Sequence, residues 1–495
     1  MRLTRTRGTP GVLQLLAIIA GSSGCAGLPT SESRSGMDLY LAHPYPLAVQ
    51  RVQRLPDGPV TLQQAVEIAL SNYPSIRAAR ARVDAAGGGI DLANTAYLPR
   101  IDLLWQEIRA TRNNFSGTIL PNPVIPGLSG PVASTPTWNN SWGSAGGVLF
   151  ALEPFDFGYR SASVDVTRAT MAQAHSQVEI TRLEAATNAA EAFLALLAAQ
   201  ESYRTAQSNV DRWTVFTQSV HVLAGQQLRP GADASRADAE LAQAHIQLTQ
   251  VKRIVDDARA TLLEALGFGE GTVAIDPGPL LKLPLRTEVP AIDPAAHPLS
   301  QSQKASIEVL RARVKALESA YYPKFLLQLM ANGRGTGFDS TGKTLDGDEG
   351  LLPDRANWEA GLTITFPLMD HFQLKARSAI EGGNEQAERS RLDQIILGLR
   401  LQEAKVRSAL EAALGVLEKT PVQLKAAQDA EMQSTTRYQN GLGTISEVAE
   451  TRQLLARAEI DDTVAKLAVW RVLSQASRVQ GDVAPFLQVL EQTPR

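Results

Sequence analysis

The sequence predicts a mixed α and β protein built twice from one unit, in which long coiled-coil helices alternate with pairs of membrane strands. Three observations carry this. Two proline landmarks recur at one spacing: Pro74 to Pro99 is 25 residues, and Pro298 to Pro323 is again 25. Residues 152–158 (LEPFDFG) are echoed by residues 366–372 (FPLMDHF). After each echo come a very long helical pattern, a glycine turn expected at Gly231 or Gly441, and a returning helix. An offset repeat of this size marks one duplicated architecture rather than several unrelated domains.

The predicted organisation follows from those landmarks. Residues 1–24 are a signal peptide and 25–60 an extended N-terminal strap. The first repeat covers 61–267, with strands at about 101–112 and 138–152 and a helical hairpin turning near 231. A proline-rich crossing segment at 268–298 leads to the second repeat, 299–480, with strands at about 325–334 and 357–367 and a hairpin turning near 441. Residues 481–495 are a C-terminal tail.

Among 495 residues the net charge is −3, which gives no basic footprint for nucleic acid. Aromatic residues make up only 5%, and the abundant alanine suits thin, closely packed helices. The N-terminus has a cationic start (Arg2, Arg5, Arg7), a short apolar stretch at 11–20 and small residues before Cys25, the only cysteine. This is the pattern of a secretory signal, too short to span a membrane as a helix. Small residues ahead of a lone cysteine resemble a bacterial lipobox, with Ser22 where leucine is usual. Cys25 is therefore the expected lipidation site, and Ala26 after it points to the outer membrane; cleavage nearby with an idle thiol is the alternative.

Thr61 is placed to cap a helix whose Ala65, Ile68, Ala69 and Leu70 recur at helical spacing. Asn72-Tyr73-Pro74 breaks it before a second helix, in which Gly87, Gly88 and Gly89 are a local weakness of up to about 1 kcal/mol each. Pro99 ends that helix, and from Ile101 the period becomes two: Ile101, Leu103 and Trp105 alternate with Asp102, Leu104 and Gln106. The alternation recurs in 142–152, in 325–334, and most cleanly where Trp358, Ala360, Leu362, Ile364 and Phe366 alternate with Glu359, Gly361, Thr363 and Thr365. A tilted strand needs about 9–11 such residues to cross a bilayer with lipid on one side and water on the other. An amphipathic sheet on a soluble core is the competing reading, but four such strands in an exported, otherwise helical chain favour the membrane.

Beyond Gly158 the helical pattern runs to about residue 228 without a proline, roughly 70 residues or about 105 Å. Leu241, Leu248, Val255 and Leu262 recur every seven residues, with Ala244, Val251, Ala258 and Ala265 three after each. In the second half Leu392, Leu399, Val406 and Ala413 repeat the pattern. These are coiled-coil seams with small partners that allow close helix approach.

No chemistry-bearing constellation emerges, so no enzyme and no cofactor are expected. Residues 337–344 (GFDSTGKT) match the phosphate-cradling GxxxxGK[ST] pattern, but the acidic, glycine-rich stretch after them cannot start the helix that the motif requires. Six histidines show no metal-ligand spacing, although His221 and His245 could approach across a hairpin; packed or solvated side chains are the more ordinary reading.

The chain resembles the outer-membrane efflux family, the channel-tunnels of TolC and OprM type. The carriers are Thr61-Leu62 with 65–70, Asn72-Tyr73-Pro74, Leu98-Pro99, residues 155–160 (FDFGYR), Gly231, Leu266-Gly267, Tyr322-Pro323 and residues 438–445 (YQNGLGTI). The resemblance implies a homotrimer, each protomer giving four strands to one membrane β-barrel continuous with an α-helical coiled-coil barrel in the periplasm of a Gram-negative cell. Bilayer physics asks for something similar, because an open sheet edge in lipid leaves unpaired N–H and C=O groups. It further implies a passive exit duct working with a periplasmic adaptor and an inner-membrane pump, anchored in outer-membrane lipid. Type I protein secretion shares this scaffold, and a periplasmic structural or adaptor coiled-coil protein is the alternative of another class.

The expected site residues follow. Pro99, Asp156 and Gly158, then Pro323 and Asp370, mark the strand-to-helix junctions, although the second copy lacks a counterpart of Gly158. Thr444 and Glu447 read as a capping box after the turn. In TolC-type members the positions matching Glu447 and Glu450 carry carboxylates lining a periplasmic constriction, and Tyr438 matches a residue that helps hold the tip closed. Gly443 stands where that pattern has an arginine. Both glutamates as solvated surface charges, with Glu447 serving only the cap, is the alternative.

Overall fold

In the computed structural model, which describes residues 55, 58–111, 138–285, 287–339, 343–345 and 347–494, the chain enters its first helix at Thr61. The expected signal peptide, Cys25, most of the strap and the loop 113–136 lie outside the described residues. Helix α1 (Leu62–Asn72) begins with a complete capping box: the Thr61 hydroxyl accepts from Gln64 N, and the Gln64 side chain accepts from Thr61 N. It ends because Pro74 forces Tyr73 into extended backbone. Helix α2 (Pro74–Asn94) runs straight through its three glycines and closes in a 3₁₀ turn, Thr95–Tyr97.

Strands β1 (Arg100–Thr111) and β2 (Asn140–Leu152) come next, followed by helices α3 (Tyr159–Gly225) and α4 (Gly231–Ala265). The second half supplies α5 (Pro298–Ser319), strands β3 (Lys324–Thr336) and β4 (Arg355–Thr365), and helices α6 (Asp370–Gln439), α7 (Ile445–Gln480) and α8 (Ala484–Gln492). Residues 481–495, expected as a tail, thus hold a helix; its Phe486 and Leu490 are buried. No described helix is long and apolar enough to cross a membrane.

The described residues form two compact units: residues 94–160 with 321–371, and residues 55–93 with 161–320 and 372–494. The first holds one antiparallel sheet in the order β1-β2-β3-β4. The second is helical, and its heptad positions do the packing. Ala244, Val255, Leu262, Leu399 and Val406 are buried, and Leu241, Leu248, Val251, Ala258, Ala265, Leu392 and Ala413 half-buried. Each fully buried leucine contributes about 1.5–3 kcal/mol. Trp470 is wholly enclosed, with its Nε1–H donated to the Lys282 carbonyl at 2.9 Å. The crossing segment is tied down where Val60 and Ile275 form a parallel bridge.

Two local features were not visible in the periodicity. Pro421 lies inside α6, where it removes the N–H that the Leu417 carbonyl would receive. The Thr420 hydroxyl contacts that carbonyl instead, at 3.4 Å. His297 caps α5, its Nδ1 accepting from Leu299 N and its Nε2–H donating to the Arg478 carbonyl. Burial holds this imidazole below its ordinary pKa, against the opposing effect of the Arg478 carbonyl.

Candidate functional site

Side chains of directly paired residues share a face of a sheet, so the register sorts the four strands into two walls. On one face Ile101, Phe150, Leu329 and Ala360 form one row, and Leu103, Val148, Ala331 and Trp358 the next. Leu327 with Leu362 and Phe325 with Ile364 extend it. On the other face the rows are Asp102, Leu149, Met330 and Glu359, then Leu104, Gly147, Asn332 and Asn357, then Gln106, Ala145, Arg334 and Arg355. One wall is an apolar band and the other is largely polar. The apolar band is open to its surroundings: Leu103 is 78% and Trp358 79% exposed. Strand β4 is exposed along its whole length, and both edge strands carry unpaired backbone groups.

At the first strand-to-helix junction the carboxylate of Asp156 gathers three donors: Gly158 N at 3.3 Å, Arg160 N at 2.6 Å and Arg160 Nε at 2.9 Å. Burial pushes the Asp156 carboxyl up, but these bonds outweigh it and leave its pKa below the ordinary value. Arg160 also donates to the Ala96 carbonyl and lies 4.9 Å over the Tyr97 ring, so this junction is held to the one at Pro99. The turn needs left-handed backbone at Phe157 (φ 50°) and Gly158 (φ 92°). Phe157 stacks on Tyr322, beside Pro323, with ring centroids 5.4 Å apart.

The second junction is built differently. No described residue between 366 and 372 has a positive φ, and Asp370 is the first residue of α6 rather than a cap ahead of it. Phe372 occupies the place of Gly158, and a bulky side chain disfavours the left-handed turn. Tyr321 closes this corner, edge-on to Phe366 and His371.

At the helical tips α6 ends in a Schellman motif: Leu442 N donates to the Arg437 carbonyl, Gly441 N to the Tyr438 carbonyl, and Gly441 is left-handed (φ 80°). Helix α3 ends the same way, with Leu228 N on Leu223 O and Gln227 N on Ala224 O. There the left-handed residue is Gln227 (φ 59°), not the expected Gly231, which is the first residue of α4. Thr444 caps α7, its hydroxyl accepting from Glu447 N at 3.3 Å. Glu447 and Glu450 are both exposed on the protomer.

Tyr438 is the buried centre of the tips. Its hydroxyl donates to Asp233 Oδ2 at 2.9 Å, its ring lies against Phe216, and the Arg229 guanidinium sits 4.2 Å above it. Arg229 also donates to the Tyr438 and Gly443 carbonyls. Further up, the Arg452 guanidinium lies against the edge-on pair of Trp213 and Phe216, at 5.1 and 4.4 Å from the ring centroids, and donates to Glu431 Oε1 and the Arg212 carbonyl, each at 3.0 Å. Arg212 in turn grips Glu459 through two bonds of 3.0 and 2.9 Å. His221 pairs with Asp238 at 2.8 Å. Among the described residues no group of three His, Cys, Asp or Glu side chains could hold a metal ion. After Thr344 come turns and β4 rather than a helix.

The profile of the outer membrane efflux protein family matches residues 65–268 and 295–470. The chain belongs to the outer membrane efflux protein family. Among relatives, the fusaric acid resistance protein FusA of Burkholderia cepacia is 22% identical, covering 76% of this chain and 70% of that protein. The cobalt-zinc-cadmium resistance protein CzcC of Cupriavidus metallidurans is also 22% identical, covering 81% and 85%. The crystal structure of the outer membrane protein VceC from Vibrio cholerae has the same fold, with a TM-score of 0.67, 18% identity, and coverage of 85% and 96%.

In this outer membrane efflux protein, sequence reasoning named Tyr438 and Gly441, which the structure places in the tip, and did not name Asp233, Arg229 or the Arg452 cluster. Asp233 and Arg229 meet Tyr438, and Arg452 meets the Arg212 carbonyl, across more than 200 residues of sequence, and no local pattern names these contacts.

Proposed function

We propose that this chain is the passive outer-membrane exit duct of a tripartite efflux system, assembled as a homotrimer whose sheets close into one β-barrel. The observation that carries this is the sheet: four strands with an apolar wall, a polar wall and two open edges. Such a sheet cannot stand alone in lipid, since each unpaired backbone group there costs several kcal/mol. Pairing β4 of one chain with β1 of the next removes every edge. The apolar band then faces lipid and the polar wall faces water, as in membrane barrels generally.

An internal duplication is supported by the helix ends. Gly225 and Gln439, Gln227 and Gly441, and Gly231 and Ile445 each stand 214 residues apart in equivalent roles. On this reading the helices form a coiled-coil tunnel in the periplasm, meeting an adaptor and an inner-membrane pump that selects the cargo. Cys25 is the acylated N-terminus. Native mass measurement of detergent-extracted protein is expected to give a trimer with three acyl chains per protomer. A monomer would sink the barrel, and an unmodified Cys25 thiol would sink the anchor alone.

Glu447 and Glu450 lie three apart at the start of α7, on one helical face. We assign them to the periplasmic constriction, where carboxylates from three chains would share a narrow pore and favour bound cations. In planar bilayers the channel is expected to show small conductance, cation preference and block by divalent cations. Glu447→Ala with Glu450→Ala should weaken the preference and the block while leaving trimers intact. Unchanged selectivity in that double variant would place the constriction elsewhere.

A further inference from the structure

Each half of the chain closes on a joint of the same build, and the two joints differ at one side chain. At the end of α4, Phe268 N donates to the Leu263 carbonyl and Gly267 N to the Glu264 carbonyl, with Gly267 left-handed (φ 82°). At the end of α7 the pattern returns: Asp482 N donates to the Ser477 carbonyl and Gly481 N to the Arg478 carbonyl, with Gly481 left-handed (φ 81°). Each glycine lies against the proline step that opens a helix in its own half. A Cβ at Gly267 would stand 3.1 Å from the Asn72 carbonyl, just ahead of Tyr73-Pro74. One at Gly481 would stand 2.9 Å from His297 Cδ2 and collide with the Pro298 ring. The residue before the proline is thus tyrosine in the first joint and histidine in the second, and of these two only histidine ordinarily changes charge between pH 5 and 8.

His297 is 3% exposed, and both of its ring nitrogens are engaged. A backbone N–H can only donate and a carbonyl can only accept, so the partners fix the tautomer. Nδ1, which accepts from Leu299 N at 3.1 Å, is bare, and Nε2, which donates to the Arg478 carbonyl at 3.1 Å, carries the proton. A second proton must go to Nδ1, where it turns the acceptor of the cap into a donor aimed at the Leu299 N–H. It also sets a cation at the N-terminus of α5, where the helix dipole opposes it. The charged residues on the segments that meet here are engaged elsewhere or face solvent. Asp293 accepts from Ala295 N, Asp482 accepts from Ala484 N, Lys304 donates to the Ala295 carbonyl, and Arg478 is exposed. Burial is the largest effect on the imidazole and holds it below its ordinary pKa, with the Arg478 carbonyl opposing.

We propose that His297 is an acid-released clasp: at neutral pH it fastens the start of α5 to the end of α7, and uptake of one proton from solvent at Nδ1 opens that joint while the first stays closed. The released imidazole, with its ordinary value of 6.5, takes that proton more readily than the clasped one. The clasp therefore contributes in full above pH 6.5 and less as the pH falls below it. This goes beyond the exit-duct reading and stands without it; within that reading α5 and α7 lie in the periplasm, and acidification of that compartment is the signal.

The test is hydrogen exchange read by mass spectrometry on the whole chain in detergent, at about pH 7.5 and about pH 5, with rates corrected for the intrinsic effect of pH. Peptides spanning 297–303 and 477–484 are expected to lose about tenfold in protection at the lower pH, the size that loss of one cap and one hydrogen bond implies. Peptides spanning 73–80 and 263–269, from the first joint, should keep theirs. His297→Asn retains a cap acceptor and cannot take the proton, so its second joint should be equally protected at both pH values. A wild-type second joint with the same protection at both pH values, an acid loss shared by the two joints, or the same acid loss in His297→Asn would each overturn the clasp.

Discussion

Arg452→Met is expected to lower the unfolding free energy of the helical unit by about 3 kcal/mol, the lower end of the cost of removing one partner from a buried ion pair. The Arg452 side chain is 6% exposed and its partner Glu431 17%. Burial pulls the Arg452 guanidinium below its ordinary pKa and Glu431 works the other way, so the pair is a coupled unit. Methionine keeps much of the length and the apolar contact with Trp213 and Phe216. What it removes is the charge, leaving the Glu431 carboxylate with the Thr435 hydroxyl at 3.2 Å, and the Arg212 carbonyl without the Arg452 donor. Since the penalty lies mostly in the stranded carboxylate, adding Glu431→Leu to Arg452→Met should recover at least half of the loss. Urea titration followed by helical circular dichroism measures both. A change below about 0.5 kcal/mol in the single variant, the size of an ordinary surface substitution, would show that the Arg452 cluster contributes little.

The fold was legible in the sequence where local physics decides it. Period-two alternation at 101–106 and 358–366 located the walls of β1 and β4, because a strand with different surroundings on its two sides must alternate. The heptads at 241–265 located the inward stripe of α4, for the equivalent reason in a helix: Ala244, Val255 and Leu262 are buried and the other heptad positions half-buried. Local glycine rules failed at the first tip: Gly231 looked like the turn, yet Gln227 takes the left-handed position. The chain tolerates this because both Schellman bonds form and the strain at one non-glycine residue is of order 1 kcal/mol. Asp370 stands at the second junction as the first residue of α6, and the echo of residues 152–158 preserves the aspartate but not the glycine that lets Asp156 act as a cap. The tip cluster was not legible at all. Asp233 and Arg452 are ordinary charges in helix-forming sequence and Arg229 one in the bend before Pro230, and only the pairing of distant hairpins sets them against Tyr438, Phe216 and Trp213.

Tyr438→Phe is expected to loosen the tip and abolish its response to alkali. Burial first, and then the bond to Asp233, push the Tyr438 phenol up to about 12, with Arg229 opposing. The unfolded phenol has a value of 10.0, so the folded tip holds the proton more tightly than the released one does. That contribution is complete below pH 10 and fades as the pH rises toward about 12. Within the exit-duct reading, released tips are open tips, so the wild-type channel should show rising open probability across that window. Phenylalanine cannot donate to Asp233, and a neutral hydroxyl bonded to a carboxylate contributes about 2 kcal/mol net, or roughly a 30-fold change in the closed-to-open ratio. The Phe variant should therefore open more often at neutral pH and change little between pH 10 and 12. Asp233→Asn separates the hydrogen bond from the charge, since its amide oxygen still accepts from the phenol. It should keep much of the closed state at neutral pH and shift alkaline opening to lower pH, since the Asp233 charge helps to hold the phenol's pKa up. Recordings in which Tyr438→Phe closes as firmly as wild type, and opens over the same alkaline range, would show that the contact between Tyr438 and Asp233 does not hold the tip.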